Sequence, residues 1–342
     1  MRTSRHKTVQ AVAGTLRRRD LIPAGSRVLV ATSGGADSVA LAAILRELAR
    51  GTRHQFRLVL AHLNHGLRRT AARDERFVTD LARGWDLPLV TARARVREAA
   101  RERGVGLEEA ARIVRYDFLE RSALEVNASL VAVGHHSDDQ AETVLMNFLR
   151  GASLRGLAGM PIRRPICPGS PVVLVRPLLE VDRDQLLSYL KARRLAWVED
   201  ETNRSRKMLR NRVRHDLLPL LERDYAPGLR RRLVQMSAGL AAVQERLAAR
   251  AAAVWDDAVA SASGESVTLN IDLLRDEGRA VTCELVLAAL EWLGAGRGDV
   301  MAEHLSAVWQ VVTSPAGGQR LDLPGRLRVS RRGKRLRIAV DG

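Results

Sequence analysis

The sequence is short of cysteine, lysine, aromatics and long apolar runs, and each shortage excludes something. Among 342 residues there are two cysteines, Cys167 and Cys283. Lying far apart in the chain, they can form neither a disulfide framework nor a CxxC metal or redox pair. No stretch approaches the roughly 20 uninterrupted apolar residues that cross a bilayer. Near the N-terminus Arg2, Arg5, Lys7 and Arg17 to Arg19 intervene before an apolar core of signal-peptide length accumulates. The expectation is a cytoplasmic chain with no membrane partner. Aromatics make up 4%, too few for a stacking platform to be the main nucleic-acid-binding device. Only Lys7, Lys191, Lys207 and Lys334 are lysines; the other basic residues are arginine.

What is abundant is positive charge. With 56 basic and 39 acidic residues the formal net charge is +17. That favours a polyanionic partner, since each neutralised phosphate releases condensed counterions, although an arginine-biased genome gives the same excess. From Arg27 to about Val198 short β-branched runs alternate with amphipathic stretches, the signature of βαβ units on a parallel sheet. Strands are expected at Val28–Ala31, Leu58–Ala61, Leu87–Thr91, Leu130–Val133 and Val172–Val175. Helices are expected at Ser38–Arg50, Asp74–Gly84, Leu107–Val126 and Asp138–Arg150. This is a doubly wound α/β domain, and ligands bind beyond the carboxyl ends of its strands. Asp182–Arg193 and Asn211–Arg223 read as helices that extend it, giving a first domain over 1–224. Tyr225-Ala226-Pro227-Gly228 reads as a linker. A mainly helical domain over 229–342 follows, with helices at Leu229–Trp255, Val281–Leu293 and Asp299–Val312. It ends in a hairpin turning at Arg331-Arg332-Gly333-Lys334.

Two strings carry chemistry. Val28-Leu29-Val30-Ala31-Thr32-Ser33-Gly34-Gly35-Ala36-Asp37-Ser38 delivers a strand into a glycine loop and then a helix, whose free N–H groups and positive dipole end suit a phosphate. It lacks the GK[ST] ending of a Walker loop and is not GxGxxG. A plain Gly-Gly turn capped by Asp37 or Ser38 is the structural alternative. Gly134-His135-His136-Ser137-Asp138-Asp139-Gln140-Ala141-Glu142-Thr143 opens the helix after the fourth strand. It sets Asp138 and Asp139 at i,i+4 and i,i+3 from Glu142. Acids belong in a first turn, and Ser137 with Gln140 has capping-box spacing. Paired imidazoles and carboxylates opposite a phosphate loop are nonetheless costly unless they hold metal or substrate.

Ser33-Gly34-Gly35-Ala36-Asp37-Ser38 resembles the pyrophosphate-binding loop of the N-type ATP pyrophosphatases, and the second string resembles the HxxDDxxET element of their tRNA-modifying members. Further strings are His62-Leu63-Asn64-His65-Gly66-Leu67-Arg68, Glu108 to Phe118, Arg176-Pro177-Leu178, Asp200-Glu201-Thr202-Asn203 and Arg210-Asn211-Arg212-Val213-Arg214. With them, residues 25 to 225 are similar to the tRNA(Ile)-lysidine synthetase family. Met208 departs from that pattern, standing where an aromatic residue is expected. The chain also has one C-terminal domain where longer relatives carry another.

The resemblance implies an adenine nucleotide alpha hydrolase-like domain using ATP and Mg2+. Ser33, Gly34, Gly35, Ala36, Asp37 and Ser38 would contact pyrophosphate, Ala31 and Thr32 would lie near the adenosine, and Asp37 and Asp138 would hold the metal. Asp37, His135, Asp138 and Asp139 are the implied catalytic residues; Arg112, Arg115, Glu142, Arg210, Asn211 and Arg214 are the implied substrate contacts. Asp138, Asp139 and Glu142 suit magnesium or lysine alike. The implied partners are L-lysine and an isoleucine tRNA with a CAU anticodon, with Arg204, Arg206, Lys207, Arg210, Arg212, Arg214 and Arg230 to Arg232 as its basic patch. The implied reaction adenylates the wobble cytidine and displaces AMP with lysine, leaving lysidine. A tRNA thiolase of the same superfamily, a metabolite synthetase and a non-catalytic RNA-binding protein are the rivals. The sequence leaves open whether the chain forms a homodimer.

Overall fold

The βαβ pattern is realised in chain order as α1 (Lys7–Arg18), β1 (Arg27–Ala31), α2 (Ala36–Ala49), β2 (Arg57–Asn64), α3 (Ala71–Trp85), β3 (Leu89–Arg93), α4 (Val96–Arg103), α5 (Leu107–Glu125), β4 (Leu130–Ala132) and α6 (Ser137–Leu149). Then come α7 (Leu154–Leu157), β5 (Arg163–Pro165), β6 (Val173–Val175), α8 (Arg183–Ala192), α9 (Leu209–Arg212) and α10 (Leu218–Asp224). The structure is a computed structural model describing residues 6–51, 55–66, 70–199, 206, 209–294, 300–315 and 318–340. It divides into two units, residues 1–142 with 160–231 and residues 143–159 with 232–342. The cut thus falls at 231/232 rather than at 224–229, leaving the expected linker in the first unit, and residues 143–159 go with the second unit.

The first unit's sheet has the order β3-β2-β1-β4-β6-β5, parallel except for β5. β1 is apolar without alternation because both faces are covered. Val28 and Val30 pack with α1, α2 and α8 on one side, and Leu29 packs with Phe118 and Leu119 of α5 on the other. Ten of the fourteen residues of α2 are buried, which explains its run of alanine, valine, leucine and isoleucine. β1 pairs with β2 on one side and β4 on the other, so the crossovers leaving β1 and β4 diverge and open a crevice at this switch point. Asn211–Arg223, expected as one helix, is interrupted by a π-turn at Val213–Leu217.

α11 (Leu229–Ala253) leads into the second unit, followed by α12 (Trp255–Ala258), β7 (Val259–Ala262), β8 (Ser266–Asn270), α13 (Ile271–Trp292), α14 (Ala302–Thr313), β9 (Arg320–Leu323), β10 (Leu327–Arg332) and β11 (Arg335–Val340). The three expected helices are present with shifted bounds: α11 stops at Ala253, and α13 begins at Ile271, ahead of the expected Val281, with a break at Gly278 (φ 77°, ψ 175°). α14 begins at Ala302, and the expected start at Asp299 lies outside the described residues. The tail hairpin is present as β10–β11, turning at Gly333-Lys334. It lies within a five-stranded antiparallel sheet ordered β7-β8-β11-β10-β9. Val267, Leu269, Leu323, Leu327, Val329, Leu336 and Ile338 give this sheet one apolar face, buried with α13 and α14.

Candidate active site

The glycine loop sits where β1 runs into α2. Gly34 has φ +90°, a conformation side chains rarely adopt, which is why glycine stands there. The Ser38 hydroxyl donates to the Gly35 carbonyl at 2.9 Å and accepts the Ser33 N–H at 3.1 Å, while the Ser33 and Ser38 hydroxyls lie 3.1 Å apart. The two serines therefore tie the loop into a ring. No side chain caps α2 at Gly35, so neither Asp37 nor Ser38 plays the plain capping role, and the helix's positive end is left for an anion.

Gly134, after β4, brings the second string against this loop. A Cβ there would lie 3.1 Å from the Asp37 carbonyl carbon and oxygen and 3.2 Å from the Ser38 nitrogen. The close approach puts the buried ring of His136 among three carboxylates. Its Nε2 is 3.6 Å from Asp37 and 3.4 Å from Asp139, and its Nδ1 is 3.5 Å from Asp138. Burial opposes the charge on His136, but Asp138, Asp37 and Asp139 outweigh it and raise its pKa to about 10. Asp138 is likewise opposed by burial, yet His136, the Arg183 N–H at 3.0 Å and Arg230 at 3.7 Å draw its pKa down to about 2. Asp37 Oδ1 is buried with no hydrogen-bond partner among the described residues, and Arg183 Nε lies 3.9 Å from it.

The acids of α6 divide into two kinds. Asp139 and Glu142 are buried and neutralised from α9 and the π-turn. Arg214 reaches Glu142 at 2.5 Å and Asp139 at 2.7 Å, and Arg210 reaches them at 3.0 and 3.1 Å. The pKa of Asp139 is lowered: burial raises it, but His136, Arg210 and Arg214 prevail. Asp138 instead shares His136 with Asp37. The capping box expected at Ser137 is not formed. Ser137 donates to Asp182 at 2.6 Å, Gln140 pairs with the backbone of Met160, and the Asp139 carboxylate takes the His136 N–H at 3.1 Å.

A cationic side faces this acidic one. Arg176 Nε donates to His135 Nδ1 at 3.2 Å. Burial, together with Arg176, pushes the pKa of His135 down to about 3, so it stays a neutral imidazole. Arg112 and Arg164 stack 5.4 and 5.1 Å from the Tyr116 ring centroid. Arg115 is exposed as a residue, but its guanidinium is crowded enough for desolvation to lower its pKa, and its charge is felt by His135.

The structure thus brings together Ser33, Gly34, Gly35, Ala36, Asp37, Ser38, His135, Asp138 and Asp139. Ala31 ends β1 and buried Thr32 follows it, its carbonyl accepting from His62 Nδ1 at 2.9 Å. Arg210 and Arg214 are engaged by acids rather than presented to solvent, and Asn211 lies between them in α9. Arg183 went unnoticed in the sequence because only the packing of α8 brings it to Asp37. Arg230, read as part of an RNA patch, touches Asp138. Leu67, Arg68, Asp200 to Asn203, Arg204, Lys207 and Met208 lie outside the described residues. Cys167 donates to Glu120 at 3.1 Å and Cys283 lies in α13 of the second unit, so neither joins the loop.

A ring-tied glycine loop feeding a buried helix at a switch point defines a class of phosphate-cradling α/β proteins. The family model described as a PP-loop domain matches residues 5–221. A tRNA(Ile)-lysidine synthase of Geobacter sulfurreducens is 39% identical over 90% of this chain and 64% of that protein. One of Dehalococcoides mccartyi is 35% identical over 93% of this chain and 67% of that protein. The chain belongs to the PP-loop family, and within it to the tRNA(Ile)-lysidine synthases. It spans about two thirds of the length of these relatives. The structure of the U34-tRNA thiolase NcsA from Methanococcus maripaludis, with its 4Fe-4S cluster, matches with a TM-score of 0.57 at 20% identity, over 70% of this chain and 79% of that one. That likeness shows the fold alone.

Proposed function

We propose that the chain uses ATP to ligate L-lysine to the wobble cytidine of an isoleucine tRNA with a CAU anticodon. The cytidine carbonyl oxygen would attack the α-phosphorus and release pyrophosphate; the lysine ε-amine would then bond to the ring carbon as AMP leaves with that oxygen. The observation that carries this reading is the meeting of the Ser33–Ser38 cradle with the Asp138–Glu142 helix start, His136 lying within 3.6 Å of Asp37 and 3.4 Å of Asp139.

The cradle and the open end of α2 offer donors where charge builds on the leaving pyrophosphate. Arg112, Arg115 and Arg176 supply positive charge for the AMP phosphate. Asp37 and Asp138 fit a divalent ion, since Asp37 Oδ1 is a buried oxygen without a hydrogen bond among the described residues and Mg2+ favours one or two carboxylates with phosphate oxygens. A bound Mg2+ would neutralise charge on the triphosphate. Because Asp139 and Glu142 are already matched by Arg210 and Arg214, a lysine ammonium would exchange with a guanidinium rather than meet bare acids.

RNA backbone would meet the exposed Arg206, Arg212 and Arg231 of the first unit. The second unit adds a groove of about 510 Å3 on its sheet, where Arg320, Arg332, Arg335 and Arg337 lie together. Among the described residues no helix is long and apolar enough to cross a membrane. The test is AMP release from labelled ATP with Mg2+, an unmodified CAU-bearing isoleucine tRNA transcript and lysine. AMP should require the tRNA and vanish in Asp37→Ala, which keeps tRNA affinity within a few fold. AMP formation independent of any tRNA would refute the proposal.

A further inference from the structure

In the first unit every aromatic is buried or half-buried except Tyr225, which is 76% exposed. The other exposed rings among the described residues, Phe148 and Trp292, belong to the second unit, so in the first unit one ring left in water asks for an explanation. Tyr225 closes α10 at a firmly built turn: Ala226 N–H donates to the Leu221 carbonyl at 2.8 Å, Leu229 N–H to Ala226 at 3.0 Å, and Gly228 takes φ +77°. Glu222 staples the turn by accepting the Arg230 N–H at 3.1 Å and its guanidinium. The same Arg230 lies 3.7 Å from Asp138. The ring is thus carried on the corner that braces the acid-rich site, with exposed Arg223 and Arg231 near it in the chain.

We propose that Tyr225 is a stacking platform for one unpaired RNA base at the rim of this site, beside the nucleotide on which the enzyme acts; this rests on the RNA substrate proposed above. Proteins read single-stranded RNA loops by splaying bases onto aromatic rings, with nearby arginines for the phosphates. Scarcity of aromatics excludes a long platform, not a single stacking position. Tyr225 is a positioning residue: it would hold the loop and take no part in bond making.

The test uses the full chain with an anticodon stem-loop hairpin carrying 2-aminopurine in its loop, and with a blunt duplex of the same stem. Tyr225→Ala should lose the fluorescence quench and bind the hairpin about tenfold more weakly, near the low end of what stacking one base contributes. Tyr225→Phe and Tyr225→Trp should keep both, and the duplex should bind all forms equally. In turnover Tyr225→Ala should raise KM for tRNA and leave kcat nearly unchanged, with an unaltered melting temperature because the ring is exposed. An unchanged quench and Kd in Tyr225→Ala, or an equal loss on duplex, would overturn the proposal. Hairpin binding with this pattern in a protein that forms no lysidine would sustain the stacking role while removing the proposed reaction.

Discussion

Arg214→Ala tests whether the acids of α6 are held by arginine in the resting protein. Glu142 is 2% exposed and meets Arg214 through two nitrogens, at 2.5 and 3.0 Å, while Asp139 meets it at 2.7 Å. Removing one partner of a buried ion pair costs about 3–5 kcal/mol, since the other charge is stranded. Here Arg210 remains on both carboxylates and Arg214 is itself 24% exposed, so the cost drops to the bottom of that range or just below it, about 2–3 kcal/mol. With a urea slope of roughly 2 kcal/mol per molar, the midpoint should fall by about 1–1.5 M. Trp85 and Trp197, both packed against the first unit's core, report that transition by fluorescence. Glu142→Gln in the same chain should recover part of the loss, because it removes the stranded charge. An unmoved midpoint, or a double variant no better than Arg214→Ala, would refute the reasoning.

Gly134→Ala should raise KM for ATP several fold while the protein stays folded, measured by initial rates and melting temperature, because its methyl group would push the Asp37–Ser38 backbone out of the cradle. The folded-state pKa of His136 is raised from 6.5 to about 10. A raised value gives stabilisation that is complete below the unfolded pKa and lost as pH climbs toward the folded one. Metal-free protein should therefore lose on the order of 2 kcal/mol between pH 6.5 and 8, and His136→Gln should flatten that slope in urea titrations across pH. Cys167→Ser with Cys283→Ser should leave tRNA-dependent AMP formation within about twofold, whereas a persulfide or cluster mechanism would lose it, as initial-rate assays will show.

Much of the site was legible because its chemistry is local. Val28 to Ser38 is a strand, a loop that needs φ > 0 at Gly34 and a helix, all within one window, and the acids of α6 announce a helix start. What escaped depends on distant packing. Arg183 and Arg230 reach the site only because α8 and α11 begin beside α6, and no spacing rule connects residues 37, 138, 183 and 230. Arg210 and Arg214 read equally well as an RNA face, since sequence does not say which way a guanidinium turns. In the second unit Val259–Ala262 and Ser266–Asn270 are short, rich in small residues and fused to helices, so their alternation is faint. Arg331, read as part of a turn, is the penultimate residue of β10, buried because it donates to the Val311 carbonyl at 3.0 Å at the end of α14.

The most direct measurement is nucleoside mass spectrometry of an unmodified CAU-bearing isoleucine tRNA after incubation with the chain, ATP, Mg2+ and lysine. The account predicts a cytidine heavier by lysine minus water, with AMP formed in equal amount. Unmodified cytidine, with AMP released only alongside another tRNA or a sulfur donor, would contradict it.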